Sequence, residues 1–119
     1  MKFSDLKFKA HGSLPGATIA KHTFANQWQI SVVTGHEAFY ISEEKPYEVA
    51  IFSPDGDYLF GDVFKYQDKE DINAMIKVLS KDDIKPEEVE KELTPYASAQ
   101  NFMEKAFDAM ESMSKMDTI

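Results

Sequence analysis

Cysteine is absent from the 119 residues, and so is arginine. The first absence removes disulfides, thiolate zinc sites and cysteine nucleophiles. The second removes the planar guanidinium fork that usually grips phosphate or a guanine edge, leaving 13 lysines as the basic residues. With a formal net charge of -8, direct nucleic-acid binding is not expected. No apolar run approaches the roughly 18 residues of a membrane span. Residues 1–10 alternate lysines with apolar residues where a signal peptide carries an apolar run. The expected setting is therefore the cytoplasm, away from the membrane.

Catalytic and metal-binding signatures are missing too. His11, His22 and His36 lack the i, i+4 spacing of zinc-protease helices. Asp55-Gly56-Asp57 with Asp62 has the wrong glycine placement for a calcium loop and no closing glutamate; a turn accounts for it. In Gly12-Ser13-Leu14-Pro15-Gly16 the serine directly follows the glycine, so the nucleophile-elbow spacing fails. No glycine-rich phosphate loop is present. The expectation is a non-enzymatic protein without cofactor or metal, although an acid-base dyad leaves no local signature and keeps a cryptic hydrolase open.

What is present suits a folded chain: 43% hydrophobic and 29% charged residues, in a length that can bury one core. The patterning predicts an α+β domain over 1–119, with an antiparallel sheet of four to five strands in 1–66, covered by two to three helices in 67–114, and a frayed end at 115–119. An opening edge strand is expected over 2–9, a loop over 11–16, and a hairpin of 18–24 and 28–33 around Ala25-Asn26-Gln27. Trp28, Ile30 and Val32 alternate with Gln29 and Ser31, as one buried face requires. A strand over 47–52 turns at Pro54-Asp55-Gly56-Asp57 and returns over 58–60, with 63–66 extending it past Gly61.

From Asp68 the period becomes helical, with Ile72, Met75, Ile76 and Leu79 on one face and Glu70 and Asp71 in the first turn. Pro86, Val89 and Leu93 propose a short second helix that ends at Thr94-Pro95. From Tyr96 a third carries Ala99, Phe102, Met103, Ala106, Phe107, Met110 and Met113 as a stripe. That stripe suits either the cover of the sheet or a dimer or partner contact.

Charge is skewed: 1–66 hold six lysines against eight acids, and 67–119 hold seven against thirteen. Asp82, Asp83, Glu87, Glu88, Glu90 and Glu92 form either a solvated helix face or a surface that occupies a basic groove on another protein. The leading expectation is a protein partner bound through Glu87, Glu88, Glu90 and Glu92, or through Phe102, Met103, Phe107, Met110 and Met113, by a monomer or homodimer. The alternative is a small-molecule or peptide pocket under the polar 34–46 loop, walled by Trp28, Phe39 and Tyr40.

Between Leu6 and Phe52 the chain resembles a group of small phage-encoded accessory proteins of unknown function. The resemblance lies in His11, Gly16, Ala20, Phe24, Asn26, Ser31-Val32-Val33, Gly35 and Tyr47-Glu48-Val49-Ala50. Where the similar proteins have Asn-Gly at the turn, this chain has Asn26-Gln27. The resemblance implies a phage or prophage origin, life in an infected bacterial cytoplasm, and stoichiometric action on a host or anti-phage defence protein.

Overall fold

The computed structural model describes residues 1–35 and 41–97. Among these residues five strands form one antiparallel meander: β1 (Lys9–Ala10), β2 (Ala17–Thr23), β3 (Gln29–Gly35), β4 (Tyr47–Phe52) and β5 (Phe64–Gln67), in spatial order β1-β2-β3-β4-β5. Helix α1 (Lys69–Leu79) follows, and a second helix, α2, covers residues 86–97. The fold is α+β, as the sequence predicts.

Register divides the sheet into two chemically distinct faces. Ala20, Val32, Val49 and Phe64 form one cross-strand row, and His22, Ile30 and Ile51 the next. The apolar members of these rows are buried, and they join Ile72, Met75, Ile76 and Leu79 of α1 and Val89 and Leu93 of α2 in one core. The opposite face carries Lys21, Ser31 and Ala50 in one row and Thr23, Gln29 and Phe52 in another. Such alternation is what a one-sided antiparallel sheet requires.

The hairpin turn lies where Ala25-Asn26-Gln27 places it. Phe24 N–H donates to the Trp28 carbonyl at 2.8 Å and Gln27 N–H to the Phe24 carbonyl at 2.9 Å. Gln27 takes φ 75, a left-handed conformation that costs a side-chain-bearing residue about 1–2 kcal/mol.

Four elements depart from the sequence reading. Residues 2–9 are not a strand: Phe3–Asp5 form a 3-10 turn, and pairing is confined to Lys9 and Ala10. Asp5 accepts the Lys2 amide at 2.8 Å and Asn73 Oδ1 accepts that of Phe3 at 2.7 Å. Alternation here serves an aromatic cluster, with the Phe3 ring 5.9 Å from Phe8 and 5.0 Å from Tyr47.

Nor do residues 58–60 return as a strand. Phe52 and Tyr58 share a single bridge, then Leu59–Gly61 turn as 3-10 with Phe60 at φ 60. Burying Leu59 in the core takes precedence over ladder pairing. The expected strand over 63–66 is β5, one residue later, and a register shift interrupts its pairing with β4.

Thr94-Pro95 does not end a helix, because α2 runs through both residues. Pro95 lacks the amide that would reach the Lys91 carbonyl, a defect that costs about 3 kcal/mol in a helix interior. Thr94 Oγ1 donates to the Glu90 carbonyl. Val89 and Leu93 are fully buried and Tyr96 and Ala97 pack against the core. At about 1.5–3 kcal/mol for each buried aliphatic side chain, tertiary packing outweighs the break. The start is conventional, with Pro86 in the first turn and the Lys85 carbonyl accepting from Glu88 and Val89. The Met/Phe stripe from Phe102 to Met113 and the expected frayed end lie outside the described residues.

Candidate functional site

The sequence-predicted acidic residues are exposed but do not share a face. At about 100° per residue, burial of Val89 and Leu93 sends Glu88 and Glu92 to one flank of α2, Glu90 to the other, and Glu87 outward beside Lys91. Glu92 accepts from Lys81 Nζ at 2.9 Å. The run is thus dispersed around the helix and partly neutralised. Trp28, expected to wall a pocket, is 1% exposed and belongs to the core; Phe39 and Tyr40 lie outside the described residues.

A concentrated acidic surface occurs elsewhere, where the end of the 34–46 loop meets the start of α1. The chain makes a turn there, with the Ser42 amide donating to the Lys45 carbonyl and the Lys45 amide to Ser42 Oγ. Across from it, Asp68 and Asp71 close a reciprocal cap: Asp71 N–H donates to Asp68 Oδ1 at 2.8 Å and Asp68 N–H to Asp71 Oδ2 at 2.9 Å. Lys45 Nζ joins the two segments, 3.0 Å from Asp71 Oδ2 and 3.6 Å from Asp68 Oδ2. The hydrogen bond from the Asp71 amide, assisted by the Lys45 charge, holds the Asp68 carboxyl below the usual carboxylate range. The hydrogen bond to Asp71 raises Lys45, against partial burial.

Between the turn and the helix lies a groove of about 350 Å³ lined by Glu43, Glu44, Pro46, Tyr47, Asp68, Lys69 and Glu70. Its floor is the Tyr47 ring, which rests on Phe3 and Phe8 and whose phenol is pushed up by burial. Among the described residues, four carboxylates face one lysine. That lysine, Lys69, stands 5.7 Å above the Phe3 ring, and Lys45 is held by the cap. Among the described residues, Glu43, Glu44 and Glu70 have no cationic partner. A basic side chain can lay its aliphatic stem over Tyr47 and place its charge among these carboxylates.

Among the described residues, histidine does not line the groove. His11 Nδ1 accepts the Ser13 and Leu14 amides at 3.0 and 3.1 Å and fixes the glycine-rich turn. His22 lies edge-on to Phe24 at 4.7 Å, and His36 is outside the described residues. Among those described, no group of three or more His, Asp or Glu is placed to hold a metal ion. No helix among them is long and apolar enough to cross a membrane.

Sequence reasoning marked the 34–46 loop as the cover of a pocket but gave it the walls Trp28, Phe39 and Tyr40, and none of the residues that line this groove was an expected site residue. The only local signal was Glu43-Glu44 ahead of Lys45-Pro46; Glu70 read as a helix-dipole complement. Compared with known protein families, curated proteins and solved structures, the chain matches none.

Proposed function

We propose that this is a non-enzymatic binding protein whose groove between the 42–46 turn and the start of α1 receives a basic segment of a protein partner. The observation that carries this reading is the set of uncompensated carboxylates of Glu43, Glu44 and Glu70 around an aromatic floor. A flexible acidic tail offers charge alone. Here the capping box and Lys45 hold both walls in place, which lowers the ordering cost of binding.

On the resemblance over 6–52, the biological setting is that of a phage-type accessory protein in a bacterial host cytoplasm. The partner would be a host or defence protein with an exposed lysine- or arginine-bearing segment, modulated by stoichiometric cover and not by turnover.

The test is fluorescence anisotropy with a labelled lysine-rich hexapeptide, at low and high salt. Binding that weakens with salt, and falls at least about tenfold in a Glu43→Lys/Glu70→Lys variant of unchanged stability, is expected. Equal binding by that variant contradicts the groove.

A further inference from the structure

The sheet face turned away from the helices holds another cavity, of about 340 Å³, whose lining includes Lys21, Thr23, Gln29, Ser31, Phe52 and Gly56. Register builds it. Lys21 stands beside Ser31 and Thr23 beside Gln29, two cross-strand pairs in adjacent rows, and Phe52 is the next residue beyond Gln29 on β4. Gly56 contributes from the turn in which Gly56 N–H donates to the Ser53 carbonyl at 2.9 Å, and it takes φ 85. Tyr58 backs the Phe52 ring edge-on at 4.8 Å.

Two features distinguish this cavity from the acidic groove. Among the described residues no carboxylate lines it, in a chain of net charge -8, and its basic residues are Lys21 and His22, of which His22 belongs to the cross-strand row of Ile30 and Ile51 and Lys21 to that of Ser31. The side chains of Lys21, Thr23, Gln29 and Ser31 make no hydrogen bond or ion pair among the described residues. Four donor-bearing side chains therefore line the cavity from two adjacent strands beside Phe52, uncommitted to the fold among the described residues. An ionised carboxylate offers about four lone-pair sites, which an ammonium, two hydroxyls and one amide can fill. An aromatic ring attached to that carboxylate can pack against Phe52 with centroids about 4.5–7 Å apart.

We propose that this cavity binds an aromatic carboxylate, with its charge on Lys21, Ser31, Thr23 and Gln29 and its ring against Phe52. The same chemistry is available as a free small acid and as an aromatic residue at a peptide carboxy terminus. The site is independent of the acidic groove.

The experiment is an amide-resolved NMR titration of the full chain with phenylacetate, phenylacetamide and the peptide Gly-Gly-Gly-Phe. Phenylacetate is expected to shift the Lys21, Thr23, Gln29, Ser31 and Gly56 amides saturably, with phenylacetamide at least about tenfold weaker. Lys21→Gln, at an exposed position, should weaken phenylacetate by a similar factor while keeping the wild-type unfolding midpoint. Tighter binding of the peptide than of phenylacetate assigns the ligand to a chain terminus, and weaker binding to a free acid. Absence of saturable shifts at these residues, equal affinity for acid and amide, or indifference to Lys21→Gln overturns the proposal.

Discussion

Asn26, at the tip of the first hairpin, donates its side-chain amide to the carbonyl of Leu79 at 2.6 Å, 53 residues away at the end of α1. The same amide reaches the Lys81 carbonyl at 2.9 Å, and Asn26 Oδ1 accepts the Trp28 amide at 3.0 Å. One side chain thus shapes the turn and caps a helix whose last carbonyls lack intrahelical partners. Asn26→Ala is expected to lower unfolding free energy by about 1–3 kcal/mol in urea titrations. Asn26→Asp should cost more, since it loses the donors and sets a negative charge against the helix carboxy terminus.

Pro95 interrupts α2 without ending it. Restoring the amide with Pro95→Ala is expected to raise stability by about 1–3 kcal/mol, because Val89 and Leu93 already hold the helix on the core. Leu93→Ala should cost about 2–5 kcal/mol. A thermal melt of each variant checks the pair; a lower midpoint for Pro95→Ala would contradict a continuous helix.

The cap between β5 and α1 gives stability two pH limits. Asp68 has a folded pKa below its unfolded value, so its contribution is present above pH ~4 and is lost as pH falls through the folded value. Lys45 has a folded pKa above its unfolded value, so its contribution is present below pH ~10 and is lost as pH rises through the folded value. Asp68→Ala should cost about 0.5–2 kcal/mol at neutral pH as a lost N-cap. Lys45→Met should cost under about 1 kcal/mol, since Lys45 keeps 42% of its side chain exposed and solvent screens the half-buried pair. Urea midpoints from acid to alkaline pH are expected to show a shallower acid limb for Asp68→Asn than for wild type.

Local periodicity carried much of this fold. Strand 47–52 and the Ile72, Met75, Ile76, Leu79 face of α1 were readable because neighbouring residues alone set their alternation or helical spacing. The aromatic alternation of Phe3 and Phe8 looked like a strand, yet its cause is Tyr47, and the Asn73 bond that holds Phe3 lies 70 residues away. Thr94-Pro95 looked like a stop because the burial of Val89 and Leu93 against distant strands leaves no local mark. Of the groove only the loop that supplies Glu43 and Glu44 was legible, for the same reason: these two are neighbours in sequence, whereas Asp68 and Glu70 meet them only through the fold.

The most direct test of the central claim locates a bound basic peptide on the chain. Amide shifts of the full chain are followed by NMR during titration with an uncapped lysine-rich hexapeptide at low salt. The account predicts saturable shifts at Glu43, Glu44, Tyr47, Asp68, Lys69 and Glu70 that fade as salt is added. Shifts confined to Glu87, Glu88, Glu90 and Glu92, or no saturable shifts, would contradict it.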